Sequence, residues 1–490
     1  MSSIQPDVKS IHESSKTGFA HLLLRTIIIN GLRVASVYFL SLWLEPTQYG
    51  EFAVLNYWIG AALFFTDFGM GGALTQKKED PSREELHTTT LLNFTQAIVI
   101  FLIFWFAAPY AANAYNLGDR GISMLRVLAS SIPIYTIRYM PEMLLRRKLQ
   151  FRNLAKVEVI ETSLLYLVQI VLAKLGYGTW SFIIAILARN ICGTFLVYRF
   201  NPYFPSLTLK FQAIKPHLKY AFTFQLSSII GSLKGLVFPI VVLKNLSTHD
   251  AGLITWTVGI SSIPISIVMI YNQIFFPSLS LLQENKDSFK HLATRGLEVT
   301  SLFLIYIAFA IMCCSKAGIE FAFKEVWLKS LPIFPLACFL VSLTMLRFLN
   351  ESILNSTGKT MNRMTIEIFY LLLNFSSIYY FTSHFGIRGY FYGAILTEFL
   401  ALLLTLIVTR EYFESRVFTK WVFLYGVGFL NFQIFRTYFL NLHLFLQMLL
   451  YQITFLLPLF LLHRGIFRDF KWLIKESHSL LTRKIQNRRA

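Results

Sequence analysis

The chain has 490 residues, 55% of them hydrophobic, with a mean hydropathy of +0.55 and a formal charge of +19. No soluble domain could keep that much apolar surface from water, and the apolar residues come in unbroken runs such as Ala97 to Ala108 and Leu400 to Val408. Such runs match the hydrocarbon thickness of a bilayer and lack the alternation of barrel strands, so the expected class is all-α membrane.

Hydropathy predicts about 14 transmembrane helices along the chain. The first six fall near 22–44, 51–75, 89–112, 121–143, 158–175 and 178–198. A basic segment with Pro202, Pro205 and Pro216 follows at 199–219 and reads as a cytoplasmic inter-lobe linker. Six more spans are expected near 220–243, 251–277, 294–315, 331–352, 364–384 and 388–409. The last two fall near 420–441 and 443–463, and a basic amphipathic tail at 464–490 suits the anionic inner leaflet. With the N-terminus inside, most Lys and Arg lie on the inner side, so the charge excess reports topology and excludes nucleic acid as partner. Residues 1–20 are polar and carry no signal-peptide core, so the first span is expected to stay uncleaved.

Self-comparison divides the chain. At a shift of about 209 residues, Arg138, Glu142, Leu145, Asn153 and Glu158 fall on Arg347, Glu351, Leu354, Asn362 and Glu367. The same shift superimposes the fourth and fifth spans on the tenth and eleventh. An N-lobe at 1–198 and a C-lobe at 220–410 follow, pseudo-symmetric and six helices each, with two extra C-terminal helices at 411–463.

Charges within the spans are the candidate functional residues. Arg33, Arg189 and Lys234 sit near span centres and Arg126 in an outer third; a lipid-facing cation there costs about 2.5–3.5 kcal/mol, so they face protein or water. Asp67 and Glu398 lie at matching depth and are candidates for pairing or ion coupling; the internal shift sets Glu398 on Arg189. Two carboxylates leave a positive surplus over four cations, which suits an anionic, phosphate-bearing guest in a water-filled cavity between the lobes. Arg138–Glu142 and Arg347–Glu351 are i,i+4 pairs near inner helix ends, readable as structural pairs or as an inner gate. Cys192, Cys313, Cys314 and Cys338 have no metal or redox spacing, and the histidines form no ligand cluster, so neither a metal nor a cofactor is expected. Asp67-Phe68-Gly69 lies inside a span without other kinase elements, and Gly69-Met70-Gly71-Gly72 follows no strand. No catalytic constellation stands out.

Several segments resemble the Wzx-type oligosaccharide flippases, the polysaccharide-transporter branch of the multidrug/oligosaccharidyl-lipid/polysaccharide exporter superfamily. They are Leu44 to Ala53, Asp67 to Gln76, Leu144 to Phe151 and Gly176 to Trp180, in that order. The resemblance covers roughly the first 410 residues. It implies a V-shaped pair of lobes working by alternating access, in the bacterial cytoplasmic membrane with both termini cytoplasmic. The implied cargo is a polyprenyl-pyrophosphate-linked oligosaccharide, flipped outward for polymerisation and export, with membrane lipid and polymerase machinery as partners. Coupling to H+ or Na+ through Asp67 or Glu398 is a further expectation. Two other readings compete: a multidrug or small-molecule antiporter of the same superfamily, and a membrane-embedded polysaccharide polymerase or ligase. The first calls for an acidic cavity and the second for a large outer loop.

Overall fold

The computed structural model describes residues 8–462, apart from 64–65, 67–68, 72–73, 75–76, 78, 149, 207, 219–220, 223–224 and 226–232. Every regular element among the described residues is a helix, without strands. They divide into two compact units, Met1–Lys244 and Asn245–Ala490.

Unit 1 contains α1 (Val8–Trp43), α2 (Pro46–Leu63), α3 (Arg83–Ala114), α4 (Gly118–Ala129), α5 (Ser131–Ile137), α6 (Tyr139–Arg147), α7 (Phe151–Lys174) and α8 (Trp180–Phe200). Helix α3 starts at a capping box in which Ser82 Oγ accepts from the Glu85 amide and Glu85 accepts from the Ser82 amide. Farther along, Val99, Ile103, Phe106 and Tyr110 are exposed while Ala97, Ile100, Ala108 and Ala111 are buried. These positions recur at helical spacing, so one stripe meets lipid and the small-residue stripe packs against protein. That packing builds a core from Leu55, Ile59, Ile100, Leu125, Leu128 and Ile183. Helix α1 packs along α7, and α7 along α8.

Unit 2 contains α9 (Thr248–Ser261), α10 (Ile265–Leu281), α11 (Lys286–Cys313), α12 (Phe334–Ser356), α13 (Thr360–Thr409), α14 (Arg416–Ile434) and α15 (Leu444–Leu462). Its core joins Phe275, Leu297, Leu346, Leu349, Leu406 and Trp421. Helix α13 is two helices merged across Gly386, whose φ of 58° and ψ of −136° are not helical. Behind that break the two arms touch backbone to backbone. A Cβ on Gly393 would come within 2.8 Å of the Ile378 backbone, and a Cβ on Gly389 would strike the Phe381 carbonyl. Ser377 Oγ donates to the Gly393 carbonyl at 3.1 Å and pairs with the Thr397 hydroxyl at 2.8 Å. Small residues permit the approach and hydroxyls then fasten it.

Six helices among the described residues are long and apolar enough to cross a membrane, the last of them the merged helix. Hydropathy counts more because several expected spans are interrupted. The fourth is split into α4, α5 and α6. Of the stretch expected at 220–243, the described residues include a 3-10 turn at Leu233–Leu236 and a π-helix at Phe238–Val242. This stretch belongs to the first compact unit, where the Tyr57 and Phe238 rings stack at 4.9 Å and a Cβ on Gly69 would strike the Ala221 carbonyl. The tail expected at 464–490 lies outside the described residues.

Candidate functional site

Helix α7 places Glu158, Glu161, Thr162, Leu165 and Tyr166 on one face by their spacing of three and four. Against that face α1 sets Arg25, Ile29 and Arg33, also four apart, and α8 sets Arg189 and Gly193. Arg138 enters from the break between α5 and α6.

The centre is Glu161, which is fully buried and shared by two guanidiniums. Arg138 forks onto it, Nη1 donating to Oε2 and Nη2 to Oε1, the latter at 3.4 Å. Arg189 Nη2 donates to Oε1 at 3.1 Å. Arg138 Nε also lies 3.2 Å from Glu142, whose other oxygen accepts from Arg146 at 2.7 Å. Arg25 closes the rim by pairing with Glu158 at 2.7 Å. The Arg138 guanidinium stands 5.1 Å over the Tyr135 ring. Gly193 is needed where α8 crosses this knot, because a Cβ there would strike both the Glu161 carboxylate and the Arg138 guanidinium.

Beside the knot lies a cavity of about 330 Å³. Three guanidiniums (Arg138, Arg146, Arg189) and three carboxylates (Glu142, Glu158, Glu161) line it. The remaining wall includes Tyr135, Thr162 and Tyr166. Arg33 and Arg189 both lie within electrostatic reach of the Tyr166 phenol, so two cations singled out in the sequence converge on one side chain.

Unit 2 carries the counterpart on α12 and α13. Arg347 Nε donates to Glu398 Oε2 at 2.7 Å and Nη2 to Oε1 at 3.3 Å, while Nη1 pairs with Glu351 and lies 3.8 Å from Glu367. The guanidinium sits 4.7 Å over the Tyr370 ring. At the internal shift, Tyr370 corresponds to Glu161 and Glu398 to Arg189. The main carboxylate has moved from one partner helix to the next, and the cation at Arg189 has no equivalent.

The other sequence candidates fall as follows. Arg126 is engaged locally on α3, its Nε donating to the Trp105 carbonyl at 3.4 Å and its guanidinium 5.3 Å over the Trp105 ring. Lys234 lies in the 3-10 turn Leu233–Leu236. Asp67 lies outside the described residues. The i,i+4 pairs exist, yet Arg138 and Arg347 each reach a more distant carboxylate as well. The charge-balanced cavity lies inside unit 1, whereas the sequence points to a cationic one between the lobes. Sequence reasoning passes over Glu161, Arg146, Tyr166 and Gly193. The readable signal is Glu158 and Glu161 one turn apart inside an apolar span, with a glycine four residues after Arg189. No group of three or more His, Cys, Asp or Glu is placed to hold a metal among the described residues.

Comparison with known proteins gives this geometry a family. The family described as "Polysaccharide biosynthesis protein" matches residues 39–332. The chain is 23% identical over 306 residues to the succinoglycan biosynthesis transport protein ExoT of Rhizobium meliloti, covering 62% of this chain and 61% of that protein. It is 21% identical over 332 residues to the lipopolysaccharide biosynthesis protein WzxC of Escherichia coli, covering 67% of each. The chain thus spans between 61% and 67% of the length of these relatives. Among solved structures, the lipid II flippase MurJ in an inward closed conformation shares the fold with a TM-score of 0.75 at 14% identity, covering 91% of this chain and 99% of that one. An inward-facing multidrug resistance MATE transporter has a TM-score of 0.55 at 14% identity, covering 80% of this chain and 94% of that one. The Wzx-type resemblance carried by the motifs between Leu44 and Trp180 is thereby borne out, and the chain belongs to the polysaccharide biosynthesis protein family.

Proposed function

We propose that this multi-pass membrane protein is a flippase that carries a polyprenyl-pyrophosphate-linked oligosaccharide from the inner to the outer leaflet of the bacterial cytoplasmic membrane, for polysaccharide assembly and export. The observation that carries the reading is the family match over residues 39–332, with a relative named as a succinoglycan biosynthesis transport protein. The polar interior of unit 1 supports it: ionised side chains at membrane depth are expensive, and a buried polar cavity is where a transporter uses them. The protein works without covalent chemistry, by alternating access, with both termini cytoplasmic, and hands its cargo to polymerase machinery outside. Arg33 and Lys234 contact the phosphates. Coupling to H+ or Na+ runs through Asp67 or Glu398, the latter one of three carboxylates around the Arg347 guanidinium.

Deleting the gene and identifying the lipid-linked saccharide that accumulates tests the reading; no accumulation, with surface polymer unchanged, removes it. Neutralising Arg33 and Lys234 together abolishes polymer while the protein stays inserted; wild-type polymer in that variant rejects the assigned contacts. Transport indifferent to imposed proton and sodium gradients rejects the coupling.

A further inference from the structure

If the protein is a flippase, the composition of the unit 1 cavity chooses among the parts of its cargo, and the role assigned to the cavity rests on that flippase reading. Its lining is electrically balanced, three guanidiniums against three carboxylates. Arg25 at the rim is already held by Glu158 at 2.7 Å. A diphosphate entering here would gain the arginines but would also face three carboxylates at short range, in a medium that screens charge poorly. A neutral polyol meets no such conflict. Each sugar hydroxyl both donates and accepts, so vicinal pairs can donate to carboxylate oxygens and accept from guanidinium N–H groups at once.

The remaining wall fits the same guest. Tyr135, Thr162 and Tyr166 contribute hydroxyls, and none of the three hydroxyls is hydrogen-bonded to another described residue. Arg189 Nε is a buried donor without a hydrogen-bond partner, and the Arg189 side chain is 39% exposed. The volume of about 330 Å³ is at the small end for ligand pockets and admits one or two pyranose rings, not a complete repeat unit. At the internal shift, unit 2 carries Tyr370 and Glu398 in the places of Glu161 and Arg189.

We infer that the unit 1 cavity is a saccharide subsite, binding one or two uncharged sugar rings of the cargo through Arg189, the Glu161 and Glu158 carboxylates, and the Thr162 and Tyr166 hydroxyls. The diphosphate is bound elsewhere. This separates two recognition tasks: the cavity reads the sugar, and cations outside it read the charge.

The test uses the full-length protein in lipid nanodiscs, with saturation-transfer NMR against the methyl glycosides of glucose, galactose, mannose and rhamnose. Inorganic pyrophosphate serves as competitor. At least one glycoside binds, and pyrophosphate does not displace it. Thr162→Val with Tyr166→Phe, which keeps shape and removes two hydroxyls, weakens that binding about tenfold or more. No transfer to any of the four glycosides, displacement by pyrophosphate, or unchanged binding in the double variant overturns the inference. Each of those results leaves the gene-deletion outcome intact. A deletion that accumulates no lipid-linked saccharide removes the flippase reading whatever the glycosides do.

Discussion

Arg138 and Arg189 hydrogen-bond the same Glu161, yet the side chain of the first is 7% exposed and that of the second 39%. A charge left alone in a sealed interior is far costlier than one that can turn toward water. Arg138→Gln leaves the buried Glu161 with the half-exposed Arg189 and Glu142 with the exposed Arg146, so it should destabilise by about 1.5–3 kcal/mol, the loss of charged hydrogen bonds in a sealed interior. Arg189→Gln should cost about 1 kcal/mol or less, since that pair is partly solvated and Glu161 keeps Arg138. Thermal unfolding midpoints of the two variants in detergent give the ranking; a larger loss for Arg189→Gln would contradict it. Gly193→Ala tests the same knot from the neighbouring helix. Its methyl would strike both partners of the Arg138–Glu161 pair, and overpacking of that kind costs about 1–3 kcal/mol. A midpoint equal to wild type would mean that α8 can back away. The sequence announces Arg138–Glu142 because a spacing of four is visible in one dimension. Glu161 stays hidden there because its partners come from two other elements, and periodicity carries no information about which neighbour a helix face will meet.

Helices are readable where a run is long, apolar and unbroken, as in α3, α8 and α11, since bilayer thickness sets their length. The unreadable stretches are those where the chain leaves the α form without leaving the apolar composition. Gly118–Arg147 breaks twice, and Leu233–Val242 passes through 3-10 and π geometry. Hydropathy reports transfer from water and is blind to such breaks, which buried neighbours tolerate inside a membrane. Gly386 is the opposite case, because its break separates two arms that hydropathy also separates. A Cβ there would meet nothing within 4 Å, so any penalty on substitution is a backbone penalty. Gly386→Ala should lower stability by about 1–3 kcal/mol, the cost of a side chain in a glycine-only region. Gly426, inside α14 with open space around it, is the control. Gly426→Ala should be neutral or stabilising by up to about 1 kcal/mol, through helix propensity alone. If both variants melt alike, the strain assigned to Gly386 is absent.

Across the whole chain, the internal shift of about 209 residues is an argument about ancestry that the two charge knots turn into one about physics. Each unit holds a buried arginine over a tyrosine ring with carboxylates at its fork, but the tyrosine and the main carboxylate occupy different positions. In unit 1 the carboxylate is Glu161 on the first partner helix, and the second carries Arg189 and Gly193. In unit 2 the first carries Tyr370, and the second supplies Glu398 with Leu402 at the place of the glycine. The repeat therefore conserves a requirement, one acid against one sealed guanidinium, and leaves open which helix meets it. Unit 1 can therefore be rewired to the pattern of unit 2. Glu161→Tyr alone leaves Arg138 without its main acid, and Arg189→Glu alone crowds a second acid against Glu161. Combined, they return one carboxylate to Arg138 from the other helix. The double variant should be more stable than the sum of the single losses by about 1–3 kcal/mol, the coupling expected of residues in one network. Unfolding midpoints of all four proteins close the cycle. Strict additivity would mean that the knots resemble each other without sharing a physical rule, while rescued stability with lost polymer export would separate what Arg189 does for the fold from what it does for transport.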